Sequence, residues 1–244
     1  MRACDIVIDL EWCQPDLNQD FSNKKVFVKT DLLEHVVPKL EKSSNVTLVL
    51  HHSDRTVDRL MIEAVRPYCR LILSQNCEVR LPTVRSLPIG VGFDARRPGH
   101  SLELDETLLK SVRAMDVSRD IDVLVNFGRH INNEFKFNLV RSVRNRCFDA
   151  FPGKHDTEWY SKEDFFKRIR RSKYVICPMG FGIDTHRFYE VAYLGARPVV
   201  ITSGLDDMYR MFGAVILGEW TDPLPEWTPP DVPEEIFDTS YWVI

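Results

Sequence analysis

What the chain lacks narrows it first. No stretch approaches the roughly 18 consecutive apolar residues that a membrane-spanning helix needs. Residues 1–13 are too acidic, and too short in their apolar part, to be a signal peptide. The sequence therefore predicts a soluble, cytoplasmic protein with no membrane anchor. Positive charge is not in excess: 32 Lys and Arg stand against 36 Asp and Glu, a formal charge of -4, so nucleic acid is not an expected partner. The one basic run, KRIRRSK at 167–173, falls on an expected helix beside Glu163 and Asp164 and reads as a solvated helix face. The six cysteines (Cys4, Cys13, Cys69, Cys77, Cys147 and Cys177) contain no CxxC pair and several sit in apolar runs. That excludes a zinc site or disulfide frame of the usual spacing and favours reduced, packed thiols.

What is present is a strand and helix alternation. With 244 residues, 44% of them hydrophobic, the chain can bury one large core or two small ones. Apolar runs near 6–10, 26–30, 46–50, 70–74 and 84–87 read as strands, with helices over 32–40 and 57–65 between them. Asp31 is a candidate cap for the first helix, and Pro38 must kink or end it. The stretch 90–99 is a loop rich in glycine and charge, and 105–115 a polar helix. The second half offers strands at 123–127, 174–177, 199–201 and 215–217, with helices at 135–144, 161–171 and 205–211. Short connections predict parallel, doubly wound sheets. The expected organisation is α/β: two Rossmann-like domains facing a cleft, at 1–104 and 119–222. The segment 105–118 connects them, and a tail, 223–244, packs back on the first. Ligands of such sheets sit beyond the carboxyl ends of the strands.

Residues 172–201 organise the rest. The strand is closed by Pro178. Gly180 and Gly182 then bracket a turn in which backbone N–H groups can approach a ligand without a Cβ in the way. Asp184 or Thr185 is an N-cap candidate, so the next helix points its positive end into the turn, a natural place for a diphosphate. On that helix Phe188, Val191 and Ala192 share one side, and His186, Arg187 and Glu190 the opposite one. An Arg can fork onto a phosphate while a Glu one turn on accepts from ribose hydroxyls. The bland alternative is a strand, a turn and a helix with an Arg187–Glu190 pair at i, i+3. A lone G-x-G, without the full GxGxxG, would favour it.

The whole string, G-x-G-x-D-T-H-R-x-x-E followed by L-G-x-x-P, resembles the signature of exostosin-like glycosyltransferases, family 47 of the glycosyltransferases. VFVKTDLLEHVVPKL, LVLHHSD, ILSQN, SLPIGVG, VLVNFGRHINN, LDDMY and EW resemble further family landmarks, in family order, over about 26–220. One departure is His52, where comparable members often carry Asn before the Ser-Asp pair. The chain resembles the short anchorless members rather than the membrane-anchored Golgi enzymes of animals and plants.

The resemblance implies the GT-B architecture and an inverting, metal-independent transfer of sugar from a nucleotide-diphospho-sugar, a UDP-sugar, to a hydroxyl of a glycan acceptor. No cofactor or metal is then expected. Asp120-Ile121-Asp122 has the D-x-D spelling used by metal-dependent transferases of the other architecture, but it precedes its apolar run and reads as the start of a strand. Asp54, just past a strand end, is the candidate general base; its bland reading is a helix cap or Asx turn. His51 and His52 are alternatives for that role. The donor-binding candidates are Asn126, Arg129, Pro178, Gly180, Gly182, Ile183, Asp184, His186, Arg187 and Glu190. Asn126 and Arg129 could equally cap a βα turn, and Asn132 and Asn133 the next helix. The rival function is a non-catalytic module that binds a sugar nucleotide or glycan. A more distant one is a phosphorylase-like enzyme, for which the central stretch supplies no lysine.

Overall fold

The computed structural model of the protein describes residues 4–9, 19–92, 102–127, 137–154, 156 and 158–242. Cys13, Arg129, Asn132, Asn133 and the stretch 93–99 lie outside them. The chain builds two parallel sheets. The first takes β1 (Ile6–Ile8), β2 (Lys25–Lys29), β3 (Val46–His51), β4 (Cys69–Ser74) and β5 (Val84–Ser86), adjacent in chain order. Helices α1 (Leu33–Leu40) and α2 (Arg59–Val65) cross between β2, β3 and β4. The second takes β6 (Ile121–Leu124), β7 (Ser172–Ile176), β8 (Arg197–Ile201) and β9 (Val215–Leu217), again in chain order.

Strand order corrects the expected double winding of the first sheet. Every connection steps to the next neighbour in the same direction, α1 and α2 pack on one face, and no switch point arises within the sheet. Register shows the result. Val26, Leu48 and Ile72 lie side by side and pack under Leu33 and Val36 of α1 and Ile62 of α2. The alternate row Phe27, Val49 and Leu73, with Leu87, points to the opposite face and is buried as well. There Trp242, on the short C-terminal helix α8 (Thr239–Trp242), packs against that row and also stacks on Phe212, at 5.8 Å between ring centroids.

The second sheet is covered on both faces. On one lie α3 (Leu102–Arg113), α5 (Lys162–Arg171), α6 (His186–Tyr193) and α7 (Asp206–Met211), through Val112, Phe166, Val191 and Tyr209. On the other lies α4 (Phe137–Ala150), with Cys147 and Phe148 against Ile176, Val199 and Val215. Polar signals settle the helix starts: Asp58, not Asp54, caps α2 by accepting from the Met61 N–H at 2.9 Å, and Ser161 caps α5 through the Asp164 N–H. Asp31, expected as a cap, instead accepts from the Ser53 hydroxyl at 2.8 Å, while residues 30–32 make a 3₁₀ turn into α1. The basic run is used internally: Lys167 pairs with Glu163, Arg168 with Asp156, Arg171 with Asp120 and Lys173 with Asp122. Asp120 and Asp122 thus tie the start of β6 to the start of β7.

Phe188 is the centre of the second core, stacked on Tyr209 at 4.1 Å and edge-on to Tyr189 and Phe212, with 1% of its surface exposed. Phe188→Ala should lower unfolding free energy by about 3–5 kcal/mol in urea melts. A loss under about 1 kcal/mol would contradict this packing.

Candidate functional site

The carboxyl ends of the two sheets meet at the turn after β7. Asn76, just past β4 and buried in the left-handed conformation (φ 52°), lies against Gly182, where a Cβ would come within 2.7 Å of the Asn76 amide. Asn76 Oδ1 accepts the Asp184 N–H at 2.8 Å, and its Nδ2 donates to the Ser53 carbonyl at 3.0 Å. The Asp184 carboxylate accepts from the Ile89 N–H, the Tyr189 hydroxyl, the Tyr209 hydroxyl and the Thr185 N–H, all at 2.8–3.1 Å. His186 Nδ1 adds a bond to the Gly90 carbonyl at 2.8 Å. A buried carboxylate needs such donors, because without them its desolvation would be costly.

This joint corrects the picture of a turn lined by free donors. The Asp184 N–H is held by Asn76, and the Gly180 N–H donates to the Gly182 carbonyl at 3.1 Å. Thr185 occupies the N-cap position of α6 without a side-chain cap bond. Gly182 and Asp184 therefore serve the contact between the sheets. Gly182 is a glycine because Asn76 fills the space a Cβ would need.

Arg187 and Glu190 lie to the side of this joint. The half-buried Arg187 guanidinium donates to the Asn126 carbonyl just beyond β6 and lies 4.8 Å over the Phe165 ring. Asn126 itself donates through Nδ2 to the carbonyls of Asp156 and Glu158, which fixes the βα turn. Burial lowers the pKa of Arg187, and burial together with the Arg187 charge lowers that of Arg144 on α4. Burial pushes the Glu190 carboxyl up to about 6, against the pull of Arg187 and Lys162. Two guanidinium groups and one carboxylate thus share a poorly solvated corner at the end of β6.

Beside that corner is a cavity of about 790 Å³, outside the carboxyl ends of β7, β8 and β9. Cys177, Met179 and Ile183 border it from the turn, Thr202 and Gly218 from the next two strand ends, and Arg146 from α4. Thr56 and Glu78 close it from the first sheet. Cys177 ties cavity and corner together: burial pushes its thiol up to about 12, and both Arg187 and Glu190 act on it electrostatically. Pro178 is buried at the strand end, and Asp54 is exposed two residues before Thr56. The structure therefore brings Ile183, Arg187, Glu190 and Asn126 around one region, and sets Gly182, Asp184 and His186 in the joint. Arg129 lies outside the described residues. Asn76, Tyr189, Tyr209 and Arg144 were not singled out from sequence. A buried amide or phenol announces itself only through the partner it meets in space.

No protein-family model matches the chain, and a search of curated proteins finds no significant match.

Burial raises the Asp184 pKa from 3.8 to about 7. Between those values the native carboxyl holds a proton that the unfolded chain releases, so its contribution to stability is greatest at low pH and is lost as pH rises toward 7. Asp184→Asn should remove that slope, worth on the order of 4 kcal/mol, from the pH dependence of urea unfolding. Parallel wild-type and variant curves from pH 4 to 7 would show that the carboxyl does not titrate in this window.

Proposed function

We propose that the chain is an inverting, metal-independent glycosyltransferase using a nucleotide-diphospho-sugar, a UDP-sugar on the resemblance of its central string. The observation that carries this reading is the pair of guanidinium groups, Arg187 and Arg144, which act on each other, with Arg187 also acting on Cys177 in the lining of the 790 Å³ cavity at the strand ends. Two like charges so placed repel each other at low dielectric, and a diphosphate between them would relieve both. Such a volume suits a ligand the size of a sugar nucleotide. Glu190, one turn along α6, is placed to accept from ribose hydroxyls, and the guanidinium groups would stabilise the charge of the leaving diphosphate. Asp54, just past the end of β3, would take the proton from the incoming hydroxyl of a glycan acceptor, with His51 and His52 as the alternatives for that role.

A second reading, a binding module without turnover, draws on the engaged amides of Gly180 and Asp184, which are not free to hold a ligand. The two readings part on turnover. A panel of UDP-sugars should raise the thermal midpoint, and hydrolysis or transfer should follow, unaffected by EDTA. Donor binding with no turnover on any acceptor would favour the module; strict dependence on manganese would count against the metal-free reaction. Arg187→Ala should weaken UDP-sugar binding by roughly 10-fold or more, the loss of one charge-assisted contact. Unchanged affinity by calorimetry would move the phosphate elsewhere.

A further inference from the structure

A second cavity, of about 230 Å³, lies on the other side of the Asp184 joint and shares no described lining residue with the larger one. Three parts of the chain build it. The first sheet and the loop after β5 supply Phe27, Val49 and Leu87, the second core supplies Phe212, and the C-terminal segment supplies Phe237 and Trp242. Phe212 and Trp242 stack with their planes 11° apart, and Phe237 stands edge-on to Phe212 at 5.3 Å. The lining thus combines an aromatic cluster with a row of sheet side chains, surfaces on which a flat ring gains dispersion contacts.

The polar side chains of the lining, the Cys4 thiol apart, are turned to partners within the protein. His51 Nδ1 accepts the His52 N–H at 2.8 Å, and its Nε2–H points to the Pro88 carbonyl at 3.3 Å. The ring is therefore neutral, and burial lowers its pKa to about 4. The Tyr189 hydroxyl donates to Asp184 at 2.8 Å, and the Trp242 indole N–H to the Ile236 carbonyl at 2.7 Å. His52 Nδ1 bonds to Oδ2 of the buried Asp9 at 3.2 Å, and the Gly90 carbonyl is bonded to His186 Nδ1 at 2.8 Å. Asp238, the exposed carboxylate of the lining, accepts the Ser240 N–H. A water inside a cavity needs roughly two to four polar partners, and a chamber whose donors and acceptors are already engaged offers it little. A charged guest fares worse, because it would exchange its hydration for groups committed elsewhere.

We propose that this chamber is a binding site for a flat, uncharged aromatic molecule of one or two fused rings. An apolar cavity of about 150 Å³ already holds a benzene ring, so 230 Å³ leaves room for a second fused ring or a short substituent. The site is independent of the transferase reading, which rests on the other cavity. Its guest touches the first sheet, the second core and the C-terminal segment at once. Binding therefore holds that segment on the sheet and stabilises the folded chain in step with occupancy.

Calorimetric titration with 3-methylindole tests the chamber, with indole-3-carboxylate, an anion of nearly the same size, as the control. The wild type should bind 3-methylindole saturably at one site, and the carboxylate about 10-fold more weakly or worse. Val49→Phe, which adds bulk on the sheet side, and Trp242→Ala, which removes one wall, should each weaken 3-methylindole binding by about 10-fold or more. Thermal melts identify variants that do not fold. In the wild type, saturating 3-methylindole should raise the thermal midpoint and slow amide hydrogen exchange at 236–242, a readout that needs no substitution. The absence of saturable binding, or equal binding of the carboxylate, overturns the proposal. Binding that both folded variants retain, or exchange protection confined to other segments, puts the guest elsewhere and overturns it too.

Discussion

The buried carboxylate of Asp184 is the constraint on which the arrangement of the two sheets depends. It is 3% exposed and takes hydrogen bonds from the loop after β5, from two tyrosines of the second core and from its own neighbour. Each donor would be costly to leave unmet in an apolar setting, and so would the acid. Asn76 completes the contact by holding the Asp184 N–H and pressing on Gly182. The strand ends of one sheet are thereby fixed against the helix tip of the other, and the space on either side of the contact becomes two separate cavities.

Helix placement explains the unequal character of those cavities. Both sheets run in chain order, but among the described residues α1 and α2 pack on one face of the first, while Trp242 of the C-terminal segment packs on the other. That face is apolar, since Phe27, Val49 and Leu73 alternate with residues that pack under α1 and α2. A C-terminal segment carrying Phe237 and Trp242 covers it incompletely, which yields a small chamber with apolar walls. The second sheet carries helices on both faces, so its open space lies instead beyond the strand ends, among hydroxyls, backbone and charged side chains. One cavity is thus lined mainly by aromatic and aliphatic side chains, and the other by a mixture of polar, charged and apolar groups.

Charge is distributed to match. The basic residues of α5 are matched by Glu163, Asp156, Asp120 and Asp122. Arg187 and Arg144 instead act on each other at the end of β6, where Glu190, with Lys162 acting on it, attracts Arg187. Paired surface charges contribute little to stability.

Much of this was legible in the sequence. Apolar runs with β-branched residues located most of the strands, and the 3.6-residue period of 186–193 separated Phe188, Val191 and Ala192 from Arg187 and Glu190, because period and propensity are local properties of the chain. Tertiary structure alone decided the rest. Whether a sheet winds once or twice depends on strand order, which no local pattern encodes. Asp184, a plausible helix cap by its position, became a joint because Ile89 and Asn76 arrive from a hundred residues away. Asp9 and His52 are 43 positions apart and meet only because β1 and β3 end at the same edge of one parallel sheet. Spacing along the chain carries no record of such meetings; the sheet creates them.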